Sequence, residues 1–283
     1  MRRGTPPGTK KSMGALGWLD AVARELMLFA ATGLLAGGLD DLAVDACWVL
    51  LCLARSSRRP TLASLPPVPA TRFAIFVPAW DEAAVIGPML RTTLARLERL
   101  EFRLMVGVYS NDPSTHAIAD EIAAGDHRVQ VVIASRPGPT TKADNLNSLW
   151  RALGESGWAA DAVVFHDAED VVHPCELDVF AALLTRHDVV QLPVLPIVAT
   201  GAPLLSGHYA DEFAESHTRG MSVRCAIGAS LPLAGVGCAI AMPLLSAVAA
   251  ARDGVPFDAD SLVEDYELGL RLTAEHGCGC FAL

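Results

Sequence analysis

Three carboxylates, Asp167, Glu169 and Asp170, follow directly on the apolar run Ala162–Phe165. A short uncharged run of this kind makes a strand buried on both faces. Acids at its carboxyl end then stand on the rim where α/β sheets bind ligands. Asp167 and Glu169, two residues apart on extended chain, can converge on one hard divalent cation, with water and a ligand's phosphates completing its shell. The competing reading is plainer: the acids solvate a strand end and cap a helix that Pro174 is expected to open.

The elements that must hold these acids read as a strand–helix alternation. Apolar strands are expected at 73–77, 104–109, 129–133, 162–165 and 189–192, with helices at 86–97, 114–124, 143–154 and 174–185 between them. That order predicts an α/β domain with a mainly parallel sheet and helices on both faces. Each of the first four strands runs into polar residues: Ala79-Trp80-Asp81-Glu82, Ser110-Asn111-Asp112-Pro113, Lys142-Ala143-Asp144-Asn145-Leu146-Asn147 beyond the third, and the acids themselves after the fourth. Parallel strands put such tips along one edge, where they can share a cleft. Any one alone is more simply a turn or a helix cap. No Gly-x-Gly-x-x-Gly follows the first strand and no Gly-rich loop ends in Lys-Ser or Lys-Thr, which argues against a dehydrogenase or a P-loop ATPase.

Taken together, Val77-Pro78-Ala79-Trp80-Asp81-Glu82, Asn111-Asp112-Pro113-Ser114, Lys142 to Asn147, Asp167-Ala168-Glu169-Asp170 and Glu264-Asp265-Tyr266-Glu267-Leu268 resemble a family 2 glycosyltransferase of the membrane-bound, processive type. The resemblance covers roughly residues 73–272 and implies a GT-A fold, a nucleotide-sugar donor (a UDP-sugar being expected) and inversion at the anomeric carbon. It implies that Ala79 and Glu82 border the uridine pocket, that Asp112 bonds the uracil, and that Lys142 sits near the base or diphosphate. Asp167 and Glu169 stand where the family has an Asp-x-Asp pair, holding Mg²⁺ or Mn²⁺, Asp167 also facing the donor. Glu169 departs from the usual second Asp. Asp265 matches the family's catalytic base, and Glu264, Gly235 and Gly237 fall on the side of a saccharide or lipid-linked acceptor. The helix dipole also favours acids in a first turn, so capping competes for Glu264 and Asp265. The residues on the helical pattern 204–227, Asp211, Glu215 and two histidines among them, read more simply as a solvated face than as a metal cluster.

The totals agree with this direction. Of 283 residues, 22 are Lys or Arg against 32 Asp or Glu, a net charge of -10, so no basic surplus is present to bind nucleic acid. Seven cysteines without scaffold-like spacing suggest reduced thiols, Cys278 and Cys280 being structurally idle. The high mean hydropathy of +0.35 is concentrated near the amino terminus. Residues 1–24 are basic and expected to be disordered, 25–55 to be a membrane-associated helical segment, 56–71 a Pro-rich linker, and 72–283 the catalytic domain. Asp40, Asp41 and Asp45 interrupt the apolar stretch, and each costs about 2.5–3.5 kcal/mol at a span centre against roughly 0.3–0.6 returned by each Leu or Val. Two half-inserted helices, or a span whose acids face protein, fit better than a lone helix in lipid. The flanking arginines favour a bacterial inner membrane with the domain on its cytoplasmic side. The family's Gln-x-x-Arg-Trp segment and later membrane helices are missing, so the catalytic domain reads as truncated. A sugar nucleotidyltransferase or a non-catalytic nucleotide- or partner-binding membrane component are the alternatives.

Overall fold

The computed structural model describes residues 14–54, 62, 65, 68–97, 100–198, 201–275 and 279–282. The chain forms two units, Met1–Leu50 and Leu51–Leu283. Helix α1, Ala15–Ala54, is 40 residues long, and its apolar residues are spread around it rather than gathered on one face. It runs unbroken through Asp40, Asp41 and Asp45, so of the two arrangements expected the pair of half-helices is not formed; an Asp in a helix interior costs less than about 0.7 kcal/mol, too little to break a Leu- and Ala-rich run. Residues 15–24, expected to be disordered, belong to this helix. Among the described residues no helix is long and apolar enough to cross a membrane. The expectations for residues 1–13, for most of the linker and for Cys278 lie outside the described residues.

The larger unit is built on a seven-stranded sheet, in spatial order β3-β2-β1-β4-β6-β5-β7. Strands β1 (Phe73–Pro78), β2 (Phe102–Val108), β3 (Val129–Ile133) and β4 (Ala162–Phe165) are parallel, and their apolar sequences follow from helices covering both faces. One face carries α2 (Ile86–Arg96), α3 (Pro113–Gly125) and α5 (Glu176–Leu183) on a core with Ile75, Leu90, Leu104 and Phe180. The other carries α4 (Lys142–Glu155), α8 (Met242–Ala250) and α9 (Glu264–Glu275) on Phe76, Leu149, Ile240 and Leu272. α5 begins two residues beyond Pro174, which lies in the preceding turn.

Two strands were not expected. β6 (Cys238–Ala241) pairs antiparallel with both β4 and β5 (Val189–Gln191), and β7 (Gly279–Phe281) adds to β5. Because β6 runs backwards, its first residue, Cys238, lies opposite Phe165 and Gln191, the last residues of their strands. The loop entering β6 thus joins the tips leaving β1, β2 and β4 on one rim. The remaining helices are α6 (Pro203–Glu215) and α7 (Met221–Ala226), joined by a π-helical turn at Ser216–Gly220.

Candidate functional site

The acids of the β4 tip face inward and outward by turns. His166 is buried, its Nδ1 2.9 Å from Asp170 Oδ2 and its Nε2 3.2 Å from Glu176 Oε1. The second pair is an ion pair whose angle is poor for a hydrogen bond. Burial works against the His166 charge, but Glu176 and Asp170 outweigh it and push its pKa up to about 10, so the ring is an imidazolium. The same Asp170 oxygen accepts the Asp167 amide at 3.0 Å. Asp170 is thereby spent on fixing the tip, while Asp167 stays half-exposed and Glu169 exposed at the rim.

Asp167 meets Lys142, the first residue of α4, with Nζ 2.5 Å from Oδ1. Nζ also donates to the Gly235 carbonyl at 3.4 Å. Burial disfavours the lysine charge, but Asp167, with Asp265 and Glu264 beyond it, raises its pKa above the ordinary lysine value. Gly235 ties in the loop that enters β6. A Cβ there would collide with Asp265 Oδ2 and lie 3.1 Å from Lys142 Nζ, so both groups crowd against one backbone position. Acids more than ninety residues apart in sequence therefore bracket one ammonium. Behind it a small cavity is lined by Leu146, Phe165, Cys238, Phe257, Glu264 and Asp265. Burial first, then the nearby Asp265 charge, raises the Glu264 pKa.

On the other flank, the β1 tip turns at Asp81, whose φ of 58° is left-handed and which Asp tolerates better than most residues. The turn brings Glu82 into the field of the β4 acids. Its pKa is raised by burial and then by Glu169 and Asp167. Ala79 is buried, its amide bonded to the Gly107 carbonyl. Asp112 caps α3 through the Thr115 amide at 3.2 Å and accepts the Asp81 amide at 2.7 Å, so its oxygens already hold two loops together. Trp80 packs edge-on against Tyr109 and lies over Gly138, closing this end.

Asp167, Asp265 and Glu264 thus gather around Lys142, and Glu169 and Asp167 act on Glu82, while Asp170 is turned to His166. Among the described residues no group of three or more His, Cys, Asp or Glu is arranged to hold a metal by itself. Asp211, Glu215 and the histidines of α6 and the π-helical turn form none. The residues at the β4 tip still fit a cation that a ligand helps to bind: Asp167 and Glu169 both act repulsively on Glu82, and of the three acids Lys142 pairs with Asp167. An oxygen-only acid pair completed by phosphates suits Mg²⁺ or Mn²⁺.

Gln191 was not singled out from sequence. Fully buried at the end of β5, it donates to the Val236 carbonyl at 2.9 Å and accepts the Ala234 amide at 2.9 Å, gripping the loop that holds Gly235 and Gly237. Its one signal was a polar residue closing the run Val189-Val190. Gly235 and Gly237 have φ of 74° and 58°, which admit glycine without strain. Gly235→Ala is expected to cost about 1–2 kcal/mol of stability in urea titration from the left-handed backbone. The collision with Asp265 should also push that carboxylate from its present position, read on the folded variant as faster hydrogen exchange at the start of α9.

A family model described as glycosyltransferase like family 2 matches residues 69–282. Bacteriophage adsorption protein B of Escherichia coli (strain K12) is 36% identical over 265 residues, 90% of this chain and 35% of that protein. Bacteriophage N4 adsorption protein B of Escherichia coli O157:H7 gives the same figures. The chain therefore spans about a third of the length of these curated relatives. Among solved structures, the mannosyltransferase PcManGT from Pyrobaculum calidifontis, in complex with GDP-Man and Mn²⁺, is similar with a TM-score of 0.59 and 17% identity, over 84% of this chain and 65% of that one. TarS 1-349 of S. aureus is similar with a TM-score of 0.51 and 14% identity, over 74% of this chain and 57% of that one. At those identities the likeness is one of fold, the GT-A arrangement expected from the sequence.

Proposed function

The chain belongs to glycosyltransferase family 2, and from that premise we propose that it transfers a sugar, with inversion, from a nucleotide donor to a hydroxyl acceptor. The observation that carries this reading is the meeting of Asp167, Lys142, Gly235 and Asp265 at one point of the rim. Transfer with inversion needs a place for departing negative charge and, on the far side of the sugar, a carboxylate to take the acceptor's proton. Asp167 and Glu169, with Glu82 near, are the residues that would hold Mg²⁺ or Mn²⁺, which when bound stabilises the charge on a departing nucleoside diphosphate. Lys142 adds a fixed positive charge beside them. Asp265, at the start of α9 and on a different element from the acids of the β4 tip, is the base in this reading. Its Oδ1 accepts the Tyr266 amide at 2.7 Å, which holds the carboxylate and leaves Oδ2 toward Gly235. The glycine loop and Glu264 border the acceptor.

UDP is the donor nucleotide in this reading, with Ala79, Glu82 and Asp112 on its base side. A lipid-linked or saccharide acceptor and a role in cell-surface polysaccharide synthesis extend it. Helix α1 carries apolar residues all around it between its charged ones, which supports a seat at the bacterial inner membrane with the catalytic unit in the cytoplasm, since such residues seek lipid or other protein. Calorimetry with UDP and Mn²⁺, followed by a panel of UDP-sugars scored for hydrolysis, tests the proposal. Binding that requires Mn²⁺, with turnover of one sugar, is expected. Absence of UDP binding would sink the donor assignment, and binding without turnover would make this a nucleotide-binding component instead.

A further inference from the structure

Nothing in the proposed chemistry accounts for Asn147, which is buried on α4 with 1% exposure. Its Nδ2 donates to the Phe257 carbonyl at 2.9 Å, and its Oδ1 accepts the Phe257 amide at 3.1 Å. One side chain thus satisfies both backbone groups of a single residue 110 positions away, as a strand neighbour would. Two more α4 side chains act on the same segment. The Thr141 hydroxyl donates to the Ala259 carbonyl at 2.6 Å while capping α4, and Trp150 Nε1 donates to the Gly254 carbonyl at 3.1 Å. The Phe257 ring then meets the Phe165 ring edge-on, centroids 5.7 Å apart, and Phe165 leads directly into His166 and Asp167.

We propose that Asn147 is a positioning residue for Asp265: by holding Phe257 it sets the segment that leads into α9 against the helix that carries Lys142 and the strand that carries Asp167. The role of Asp265 rests on the function proposed above; the tether does not. The segment from Arg252 to Val263 has no regular structure beyond turns. Its own bonds, such as the Arg252–Asp258 pair, shape it locally, and the bonds from Thr141, Asn147 and Trp150 fix it to α4 and its cap. Of the three, Asn147 alone acts from full burial and with two bonds, where breaking the pair leaves a buried amide and carbonyl unmet. A shift of about 1 Å at the start of α9 is enough to lower a positioned reaction roughly 100-fold.

Hydrogen–deuterium exchange on the whole chain tests this without any assay of turnover. In Asn147→Ala the Phe257 amide and the α9 amides from Glu267 to Leu270 should lose protection by roughly 10- to 100-fold, while those of β1 and β4 keep theirs. Asn147→Asp, which retains an acceptor for the Phe257 amide, should fall between. Trp150→Phe should open only the neighbourhood of Gly254. Where a UDP-sugar turns over, Asn147→Ala should lower kcat with KM for the donor unchanged, and calorimetry should give the same affinity for UDP with Mn²⁺. Unchanged α9 exchange in Asn147→Ala, or loss of protection spread across the sheet strands in both Asn147 variants, would overturn the inference. Failure of the wild-type chain to bind UDP would instead count against the functional proposal and leave the exchange result standing.

Discussion

Asp265→Asn is expected to lower sugar transfer by about 10²- to 10⁴-fold, the range a positioned general base supplies. The amide matches the carboxylate in shape, so the Tyr266 amide can still bond to its oxygen and α9 can still start at Glu264. What is lost is the ability to take a proton. Affinity for UDP with Mn²⁺ should change little, because the acids proposed to hold the cation lie on the β4 tip. The affected parameter is therefore kcat, read beside calorimetry on the same preparation. Retained transfer would mean that another group takes the proton; Glu264, buried beside it with a raised pKa, would then be examined next.

The second large effect is on stability. His166→Leu leaves the Asp170 and Glu176 carboxylates without the cation between them, and breaking a buried ion pair from one side costs about 3–5 kcal/mol. The urea midpoint should fall accordingly, and the β4 tip should loosen, since Asp170 also holds the Asp167 amide. The wild-type pH profile has a definite sign. A histidine whose pKa is raised in the folded chain contributes fully below its unfolded value near 6.5 and loses that contribution as pH rises toward about 10. Stability should therefore decline over that interval in the wild type and decline less in His166→Leu. Equal slopes for the two proteins would show that His166 is not the group responsible.

The four parallel strands and their polar tips were legible because each is an apolar run closed by turn-forming or charged residues, a pattern written locally. β6 was not. Cys238-Ala239-Ile240-Ala241 is four residues after a glycine-rich loop, and its partners, β4 and β5, lie far back in the sequence. β7 is three residues long and depends in the same way on β5. Within the site, Asp167, Lys142 and Asp265 could be named from motif and position. The residues that steady them could not: His166 reads as a solvated strand end until Glu176 is folded over it, and Asn147 and Gln191 are amides whose partners are backbone groups 110 and about 45 residues away. Such bonds leave no periodicity to detect. Asp112 illustrates the opposite case, where a cap, the plainer expectation, is present, and the same carboxylate also binds a second loop.

The reversed direction of β6 has a consequence for how the molecule can change. Residues around Glu82 and Glu169 hang from the ends of strands, whereas the glycine loop hangs from a beginning, threaded in from α7 and fastened by Gln191. That loop is also bonded to the β4 end, through the Gly237 amide on the Phe165 carbonyl, and to Lys142 through the Gly235 carbonyl, so a change in it is felt at Asp167 as well as at α7 and β6. The two sides of the rim are thus coupled, and the glycine loop cannot change shape without moving the residues that face it.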